Sequence, residues 1–471
     1  MNRRTVLALL PCAAAGAAAL SKQSEAEQTE PAKLSLRYLG EVRTILEKIR
    51  STELDNLLEV SYHIAKTYKN GGKCYTLWDV GHSLSEDMYP DRPGDTDIFT
   101  IGYPEEQAKK GDLLIAGVFG KPLEDPRKKG VFVIGSPAPW CGETPDARLL
   151  SEQHRQLRIR PYSDLWIETY STTWGPIIWL EGAKYPMGAV SGAVGMVTFW
   201  MMIADAVRIL ASEGVAVKVK GDEPKLTDKA RSVSLNAPLG EEYFREVASQ
   251  LRQIEGELGT AEKVADIAVD AVLAKRSVYV YSKYWEGLAV ESNTRMGGLT
   301  IYKSVFRSGP DWGLVKNFKG ASGDLVIMGI CTPDDPTDLE FLDLAKKNGC
   351  RTASIGPATR DKAFPSGRNV PSETEFHLGY MCDTYGLFAF PGVERKVCPT
   401  SGVLQNQLFY AVSMSIAQKI IERTGNIPTI YPNGAFEGGP VRRIRQGSPH
   451  RVEAGVLAFF LLKPPKPPRG T

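Results

Sequence analysis

GDLLIAGV at residues 111–118 returns as GDLVIMGI at residues 323–330, with five identities in eight positions at an offset of 212. Two further segments recur in the same order. SG at 191–192, which opens an apolar helix containing Phe199-Trp200, returns at 401–402 with Phe409-Tyr410, and YLGEV at 38–42 returns as YFREV at 243–247. The three matches follow the same order along the chain, at offsets of 205 to 212 residues. They predict two copies of one domain of about two hundred residues.

Short apolar runs bounded by turn signals predict the strands of each copy. In the first copy they lie at 74–80, 97–103, 112–118, 131–136 and 164–170, and in the second at 277–282, 299–305, 324–330, 351–356 and 386–390. Their apolar residues do not strictly alternate, which is typical of strands buried on both faces of a parallel sheet. The predicted fold class is α/β, with two tandem doubly wound parallel-sheet, flavodoxin-like domains related by the internal repeat.

Two segments have helical periodicity. Residues 34–69 form a leader to the first copy, and TDLEFLDLAKKN at 337–348 reads as a crossover helix with Thr337 as N-cap candidate and Gly349 as its stop. In the first copy only ten residues separate Gly120 from Val131. That spacing is at the lower limit for a helical crossover.

Composition excludes several classes of protein. The 471 residues include 57 Lys and Arg against 55 Asp and Glu, so no basic excess favours a nucleic-acid partner. A 42% hydrophobic and 24% charged chain is neither disordered nor fibrous. Seven cysteines without a C-x-x-C pattern exclude a dense disulfide scaffold and a zinc knuckle.

The N-terminus has the pattern of an export signal. Arg3-Arg4, a short apolar run and Ala17-Ala18-Ala19 predict a twin-arginine signal peptide over 1–20, followed by a polar linker over 21–33. The expected location is therefore the periplasm or the exterior. A lipoprotein anchored at Cys12, or a cytoplasmic chain with an apolar start, are the alternatives. No stable membrane span is expected in the mature chain, because the apolar run 189–204 is shorter than the ~20 residues required.

Three motifs carry a resemblance to the sugar isomerase (SIS) phosphosugar-binding domains. They are NGGKCY at 70–75 leading into a strand that ends at Gly81-His82-Ser83, the Gly-Asp start of the third strand, and the P-x4-S-G pattern at 186–192. The resemblance covers the chain twice, giving a domain at 34–220, a linker at 221–237, a second domain at 238–432 and a tail at 433–471. Tandem SIS domains resemble the isomerase half of glucosamine-6-phosphate synthase and sensors of the glucokinase-regulator type, so the resemblance implies either an enzyme or a binder.

In an open parallel sheet, ligands bind at the carboxyl ends of the strands. The resemblance implies that Ser and Thr hydroxyls on two such loops hold a sugar phosphate. The loop after the first strand keeps this character with Gly81, His82 and Ser83, although His82 could equally be structural. The loop after the third strand departs from it, with Lys121 in FGKP at 119–122 and two aspartates in CTPDDPT at 331–337.

Several candidate residues have two interpretations. Asp334 and Asp335 would repel a dianionic phosphate and suit a cation, sugar hydroxyls or a helix cap. Ser191, Thr400 and Ser401 begin long helices, so each is interpreted first as an N-cap and second as a ligand contact.

Other residues give weaker signals. Glu168 and Glu181 flank the fifth strand of the first copy and could act as a base, and KYWE at 283–286 has aromatics suited to stacking on a sugar or to packing. The sequence contains no Ser-His-Asp constellation, no cluster of metal ligands and no P-loop.

The leading hypothesis is a protein that binds a phosphosugar or amino sugar, with isomerisation or deamination as the activities that the resemblance implies. The rival is a catalytically silent SIS-fold sensor or scaffold that has lost its phosphate site. A sugar hydrolase with paired carboxylates is a third reading. The expected partner is a small sugar derivative, with no nucleic acid, no cofactor and no metal, and a homodimer is a further expectation. The candidate ligand-binding residues are Gly81, His82, Ser83, Lys121, Ser191, Thr400 and Ser401.

Overall fold

A computed structural model describes most of the chain between Lys33 and Tyr431. The described residues are 33–77, 92–103, 106–116, 124–136, 152, 156, 158, 160–171, 176–183, 185–220, 231–284, 288–293, 297–307, 318–361, 363–381 and 386–431. The predicted signal peptide and C-terminal tail, and half of the predicted linker at 221–237, lie outside them.

Two five-stranded, wholly parallel sheets form the framework. The strands in chain order are β1 (Cys74–Leu77), β2 (Phe99–Ile101), β3 (Leu113–Ala116), β4 (Phe132–Gly135), β5 (Leu165–Trp166), β6 (Pro176–Ile178), β7 (Met187–Ala189), β8 (Arg231–Ser232), β9 (Val278–Tyr284), β10 (Tyr302–Arg307), β11 (Leu325–Gly329), β12 (Arg351–Pro357), β13 (Phe376–Tyr380) and β14 (Phe388–Ala389). The sheets run β2-β1-β3-β4-β5 and β10-β9-β11-β12-β13. Both have the flavodoxin-like order 2-1-3-4-5, which confirms the predicted fold class.

Helices surround both sheets. They are α1 (Leu34–Lys69), α2 (Glu124–Lys128), α3 (Ser191–Ser212), α4 (Gly240–Gln253), α5 (Leu258–Leu273), α6 (Leu288–Asn293), α7 (Pro336–Lys347), α8 (Val370–Glu373) and α9 (Ser401–Thr424), with 3₁₀ turns at Arg160–Tyr162 and Ile254–Glu257. The helix predicted for residues 34–69 is confirmed as α1, and its buried positions recur every three or four residues along one face.

The central helix α3 is almost entirely apolar. In the described part of the chain, it alone is long and apolar enough to cross a membrane. However, 89% of its most apolar window is buried inside the protein. Its apolar surface is therefore covered by the protein's own core.

The same hydrogen bonds recur at equivalent positions of the two halves. Asp112 accepts hydrogen bonds from the backbone amides of Lys73 at 2.8 Å and Lys109 at 3.0 Å. Asp324 accepts two such bonds, each at 2.8 Å, from the equivalent amides of the second half. Each aspartate thereby ties the start of one strand to the turn before its neighbour. The two aspartates of the repeated Gly-Asp motif therefore occupy equivalent places in the two sheets.

A second recurring contact joins the first helix of each half to the segment before its long helix. The Tyr38 hydroxyl donates to the Ala189 carbonyl at 2.7 Å, and the Tyr243 hydroxyl donates to the Pro399 carbonyl at 2.9 Å. All four residues are buried. The two tyrosines that match in the sequence repeat therefore make equivalent hydrogen bonds in the two halves.

The two halves also bond to each other reciprocally. The Gly188 amide donates to the Gly297 carbonyl at 3.1 Å, and the Cys398 amide donates to the Gly94 carbonyl at 3.1 Å. In each pair, the residue just before one half's long helix meets a loop of the other half. All four residues have a positive φ.

One hydrophobic core runs through both halves. The rings of Tyr38 in α1 and Tyr410 in α9 lie 5.6 Å apart, and the Leu34 amide donates to the Gln418 side chain at 3.0 Å. The described residues from Leu34 onward form one compact unit. The domain limits inferred from the repeat stay predictions.

One strand prediction was wrong. The fifth strand of the second sheet is β13, whereas the predicted run 386–390 contains β14, which pairs with β8. Leu387 and Phe388 donate their amides to the Val397 carbonyl, so this run already has its backbone partners elsewhere. The sequence of β13, FHLGY, contains a histidine and a glycine, and its weaker apolar signal hid the strand.

Both crossover helices differ in detail from prediction. α2 has five residues, as the short spacing between Gly120 and Val131 allows. α7 begins at Pro336 and is capped by Asp335 rather than by Thr337, because the Asp335 carboxylate accepts the first free amides. It ends as predicted, with Gly349 in the left-handed region at φ 74°.

Candidate functional site

The strand order fixes where a ligand site should be. In a sheet of order 2-1-3-4-5, the crevice at the carboxyl ends of strands 1 and 3 is the usual ligand site. In the first half, residues 78–91 follow β1 and residues 117–123 follow β3 in the sequence. They contain four candidates, Gly81, His82, Ser83 and Lys121, which lie outside the described residues. The second half shows the equivalent crevice in more detail.

The loop after β11 carries an internal ion pair. Asp335 accepts hydrogen bonds from the amides of Thr337 at 2.9 Å and Asp338 at 3.3 Å, at the N-terminus of α7. Its other oxygen lies 2.5 Å from Nζ of Lys283, near the end of β9. The free amides of a helix N-terminus and a nearby lysine are the groups that would hold a bound anion. The Asp335 carboxylate occupies this position itself.

Two further carboxylates lie in or beside the same loop. Asp338 accepts a hydrogen bond from the buried Tyr281 hydroxyl at 2.9 Å. Asp334 is buried, and its Oδ2 has no hydrogen-bond partner among the described residues. Among the described residues, the Asp335 carboxylate lies at the helix N-terminus, where its charge would repel a dianionic phosphate at short range.

The carbonyl groups at the same edge are also bonded within the chain. Gln405 of α9 donates from Nε2 to the carbonyl oxygens of Ile330 at 2.9 Å and Ile355 at 3.2 Å. The Tyr380 hydroxyl donates to the Ile330 carbonyl at 3.2 Å. These polar groups, at the ends of β11 and β12, are therefore not available to a ligand. The described ends of β11 and β12 are therefore bonded to side chains of α9 and β13.

A buried carboxylate that sequence reasoning missed lies behind this edge. The Tyr410 hydroxyl of α9 donates to Glu291 of α6, and both side chains are buried. Next to them, the hydroxyls of Ser292 and Ser304 are 3.1 Å apart. The available signal was a single acidic residue after the apolar run 288–290.

The N-cap interpretation was wrong for Ser191 and Ser401, whereas Thr400 occupies the cap position of α9 without making a side-chain capping bond. The cap residue of α3 is Val190 and that of α9 is Thr400, and neither makes a side-chain capping bond. Both have backbone angles near the helical region, whereas a capping side chain needs an extended cap residue. Ser191 and Ser401 are the first helical residues, and both are buried.

Ser401 has a different partner, which comes from the other half. The guanidinium of Arg92 donates to the Ser401 hydroxyl at 2.7 Å, and Arg92 is fully buried. The two residues are 309 positions apart in sequence. Arg92 therefore fixes the start of α9 from the loop that precedes β2.

The two candidate bases of the first half do not form a carboxylate pair. Glu168 accepts from the Trp166 indole at 3.4 Å and from the Tyr170 amide at 3.3 Å. Glu181 is exposed in the turn after β6. Among the described residues, no group of three His, Cys, Asp or Glu side chains is placed to hold a metal ion. Neither arrangement supports the paired-carboxylate hydrolase reading.

No protein-family model and no curated protein sequence matches the chain. Solved structures with similar coordinates include the C-terminal domain of glucosamine-fructose-6-phosphate aminotransferase from Francisella tularensis, at 11% identity and a TM-score of 0.47. The similarity covers 86% of this chain and 100% of that one. Glucosamine-6-phosphate deaminase from Thermotoga maritima matches at 11% identity and a TM-score of 0.41, covering 86% and 98%. At these values the assignment rests on strand order: the chain has a flavodoxin-like α/β fold with two parallel sheets of the same topology.

Proposed function

We propose that the protein binds a sugar derivative, a phosphosugar or an amino sugar, at the carboxyl edge of its first sheet, and that its second half is a structural half without a phosphate site. The observation that carries this proposal is the Lys283–Asp335 ion pair at the N-terminus of α7. A carboxylate fixed there takes the place of the ligand's anionic group. The SIS resemblance of both halves supplies the substrate class.

The residues proposed for the ligand site belong to the first half. Ser83 and the backbone around Gly81 and His82 would bind the anionic group, helped by Lys121. Ser191, which opens α3 beneath the same crevice, would be a further contact. The roles first considered for Thr400 and Ser401 are better explained by packing, because Ser401 is already bonded to Arg92.

Binding without turnover is the function proposed. In the second half, the described groups at the carboxyl edge are bonded to one another through Gln405, Tyr380 and the Asp335–Lys283 pair, so we propose that this half contributes no catalytic base. The twin-arginine pattern adds to this proposal, because a protein outside the cytoplasm would meet cell-wall amino sugars rather than metabolic sugar phosphates. Replacing Arg3 and Arg4 with lysine should keep the protein in the cytoplasm on cell fractionation. Periplasmic protein in that variant would refute the export pathway.

Calorimetric titration of the whole protein tests the site. Glucosamine 6-phosphate and glucosamine serve as a matched pair of ligands. We expect one of them to bind, and we expect Ser83→Ala to weaken a phosphosugar about tenfold to a hundredfold, as loss of a hydrogen bond to a charged group does. Ser282→Ala, in β9 of the second half, is the control and should leave affinity unchanged.

The same samples separate binding from catalysis. Proton NMR of the ligand after prolonged incubation should show no isomer and no released ammonia. Conversion at a rate that Ser83→Ala abolishes would replace the binding proposal with an enzyme. Equal, negligible effects of both serine substitutions would instead leave a scaffold with no sugar site.

A further inference from the structure

A cavity of about 430 Å³ opens at the amino edge of the first sheet, where α1 ends and β3 and β4 begin. This is the edge opposite the proposed sugar site. Pockets of this size bind small molecules in many proteins. Its lining includes three lysines, Lys66, Lys109 and Lys110, and the buried Asp112.

The positive charge of this cavity is not compensated within the described structure. All three lysines are exposed, and none forms an ion pair with a described carboxylate. The one carboxylate in the lining, Asp112, directs both oxygens to backbone amides. Three lysines therefore line one cavity without an ion-pair partner among the described carboxylates, and Nζ of Lys66 also lies 5.9 Å from the centroid of the Tyr62 ring.

The fold does not require these lysines. Equivalent positions can be assigned from hydrogen bonds that both halves share, such as those of Asp112 and Asp324 and those that end α1 and α5. The positions of Lys66, Lys109 and Lys110 are taken in the second half by Asp270, Ala321 and Ser322. The same turns therefore form with an acidic residue and two small ones.

One wall of the cavity is apolar and well packed. The rings of His63 and Phe132 stack 4.1 Å apart at an interplanar angle of 13°. Burial lowers the pKa of His63; the charges of Glu59 and Asp164 act against this effect, and the charge of Lys66 adds to it. The wall is therefore a neutral surface at neutral pH, and the lysines alone supply the positive charge.

We propose that this cavity binds a small polyanion, a molecule with two or more phosphoryl or carboxylate groups. Lysine ammonium groups bind phosphate oxygens as point charges and can turn toward them on flexible stems. Three of them around one cavity suit a ligand with several charged groups rather than a single carboxylate. The cavity is separate from the proposed sugar site and would be a second binding site for a small molecule.

Titration of the whole protein with inorganic tripolyphosphate tests this proposal. The double variant Lys109→Ala/Lys110→Ser copies the second half, so it should fold normally, which its thermal midpoint would verify. We expect it to bind tripolyphosphate about tenfold to a hundredfold more weakly than the parent protein. Raising the salt concentration should weaken binding to the parent protein.

A charge-matched control uses two exposed lysines of the second half. Lys319→Ala/Lys347→Ser removes the same charge away from the cavity and should leave affinity unchanged. An equal loss in both double variants would mean non-specific attraction and would overturn the proposal, as would absence of binding at millimolar tripolyphosphate. Ser83→Ala should not change tripolyphosphate binding, so failure at this cavity and failure at the sugar site give different results.

Discussion

His377 shows how the second half satisfies a polar side chain inside its sheet. Its Nδ1 lies 2.8 Å from the Ser354 hydroxyl, which can donate or accept, and its Nε2 lies 3.0 Å from the Pro357 carbonyl, to which it donates. The neutral imidazole with its proton on Nε2 satisfies both contacts. Burial, the largest effect, lowers the pKa of His377 to about 4. The residue is therefore neutral in the folded protein at pH values where it is protonated in the unfolded chain.

The consequence is a pH-dependent stability. Between about pH 6.5 and pH 4 the unfolded chain binds a proton at His377 that the folded protein does not, so the free energy of unfolding should fall as the pH falls through this window. The full loss from this residue is up to about 3 kcal/mol. Urea unfolding at pH 7.5 and pH 4.5 measures it, with His377→Gln as the variant that cannot titrate. A parent protein whose pH dependence equals that of the variant would contradict the prediction.

At the scale of elements, the helices and strands with a clear apolar pattern were predicted from the sequence. Contacts between residues far apart in the sequence were not. The bounds of α1 and the core of β3 follow from apolar periodicity alone. By contrast, β13 was missed because pairing with β12 stabilises a run whose own composition is ambiguous. The Arg92–Ser401 bond joins residues 309 positions apart, and no local pattern encodes it. For the candidate site, the sequence indicated the acidic loop and the cap at Asp335, but not the lysine that pairs with it.

Two glycines at the ends of the long helices have the same left-handed conformation but differ in the space around them. Gly188 precedes α3 at φ 78°, and a Cβ added there would lie 2.8 Å from both the Tyr38 ring and the Met414 methyl. Gly425 ends α9 at φ 67° with nothing within 4 Å of an added Cβ. Gly425→Ala should cost only the left-handed backbone strain, roughly 1 kcal/mol. Gly188→Ala should cost about 3 kcal/mol, because overpacking adds to that strain.

Urea unfolding of the two glycine variants under the same conditions measures this difference. The cost of the left-handed backbone is common to both variants. The additional loss of unfolding free energy in Gly188→Ala therefore measures the steric crowding between α1, β7 and α9. Equal losses would show that Tyr38 and Met414 move aside without cost.

At the scale of the molecule, the two halves are bound into one unit. α1 of the first half packs on α9 of the second through Tyr38 and Tyr410, and Arg50 on α1 pairs with Glu241 on α4 at 3.1 Å. One hydrophobic core contains residues of both sheets. Neither sheet can lose its helices without exposing apolar surface of the other.

We therefore expect one cooperative unfolding transition. Native-state hydrogen exchange should give the same opening free energy for the amides of β3 and β11, the central strands of the two sheets, because both need global unfolding to exchange. The calorimetric and van't Hoff enthalpies should also agree. A lower opening free energy for β3 than for β11 would show that the halves unfold separately.

The reciprocal bonds of Gly188 to Gly297 and of Cys398 to Gly94 have a consequence for how the chain can change over generations. In a symmetric dimer of identical one-domain subunits, the two equivalent contacts are encoded by the same gene. Every substitution in that gene therefore changes both contacts at once. Joined in one gene, the two contacts mutate independently. One already has glycine before the long helix where the other has cysteine in the same left-handed conformation. Covalent linkage thus allows the two halves to diverge residue by residue, as these two positions already have.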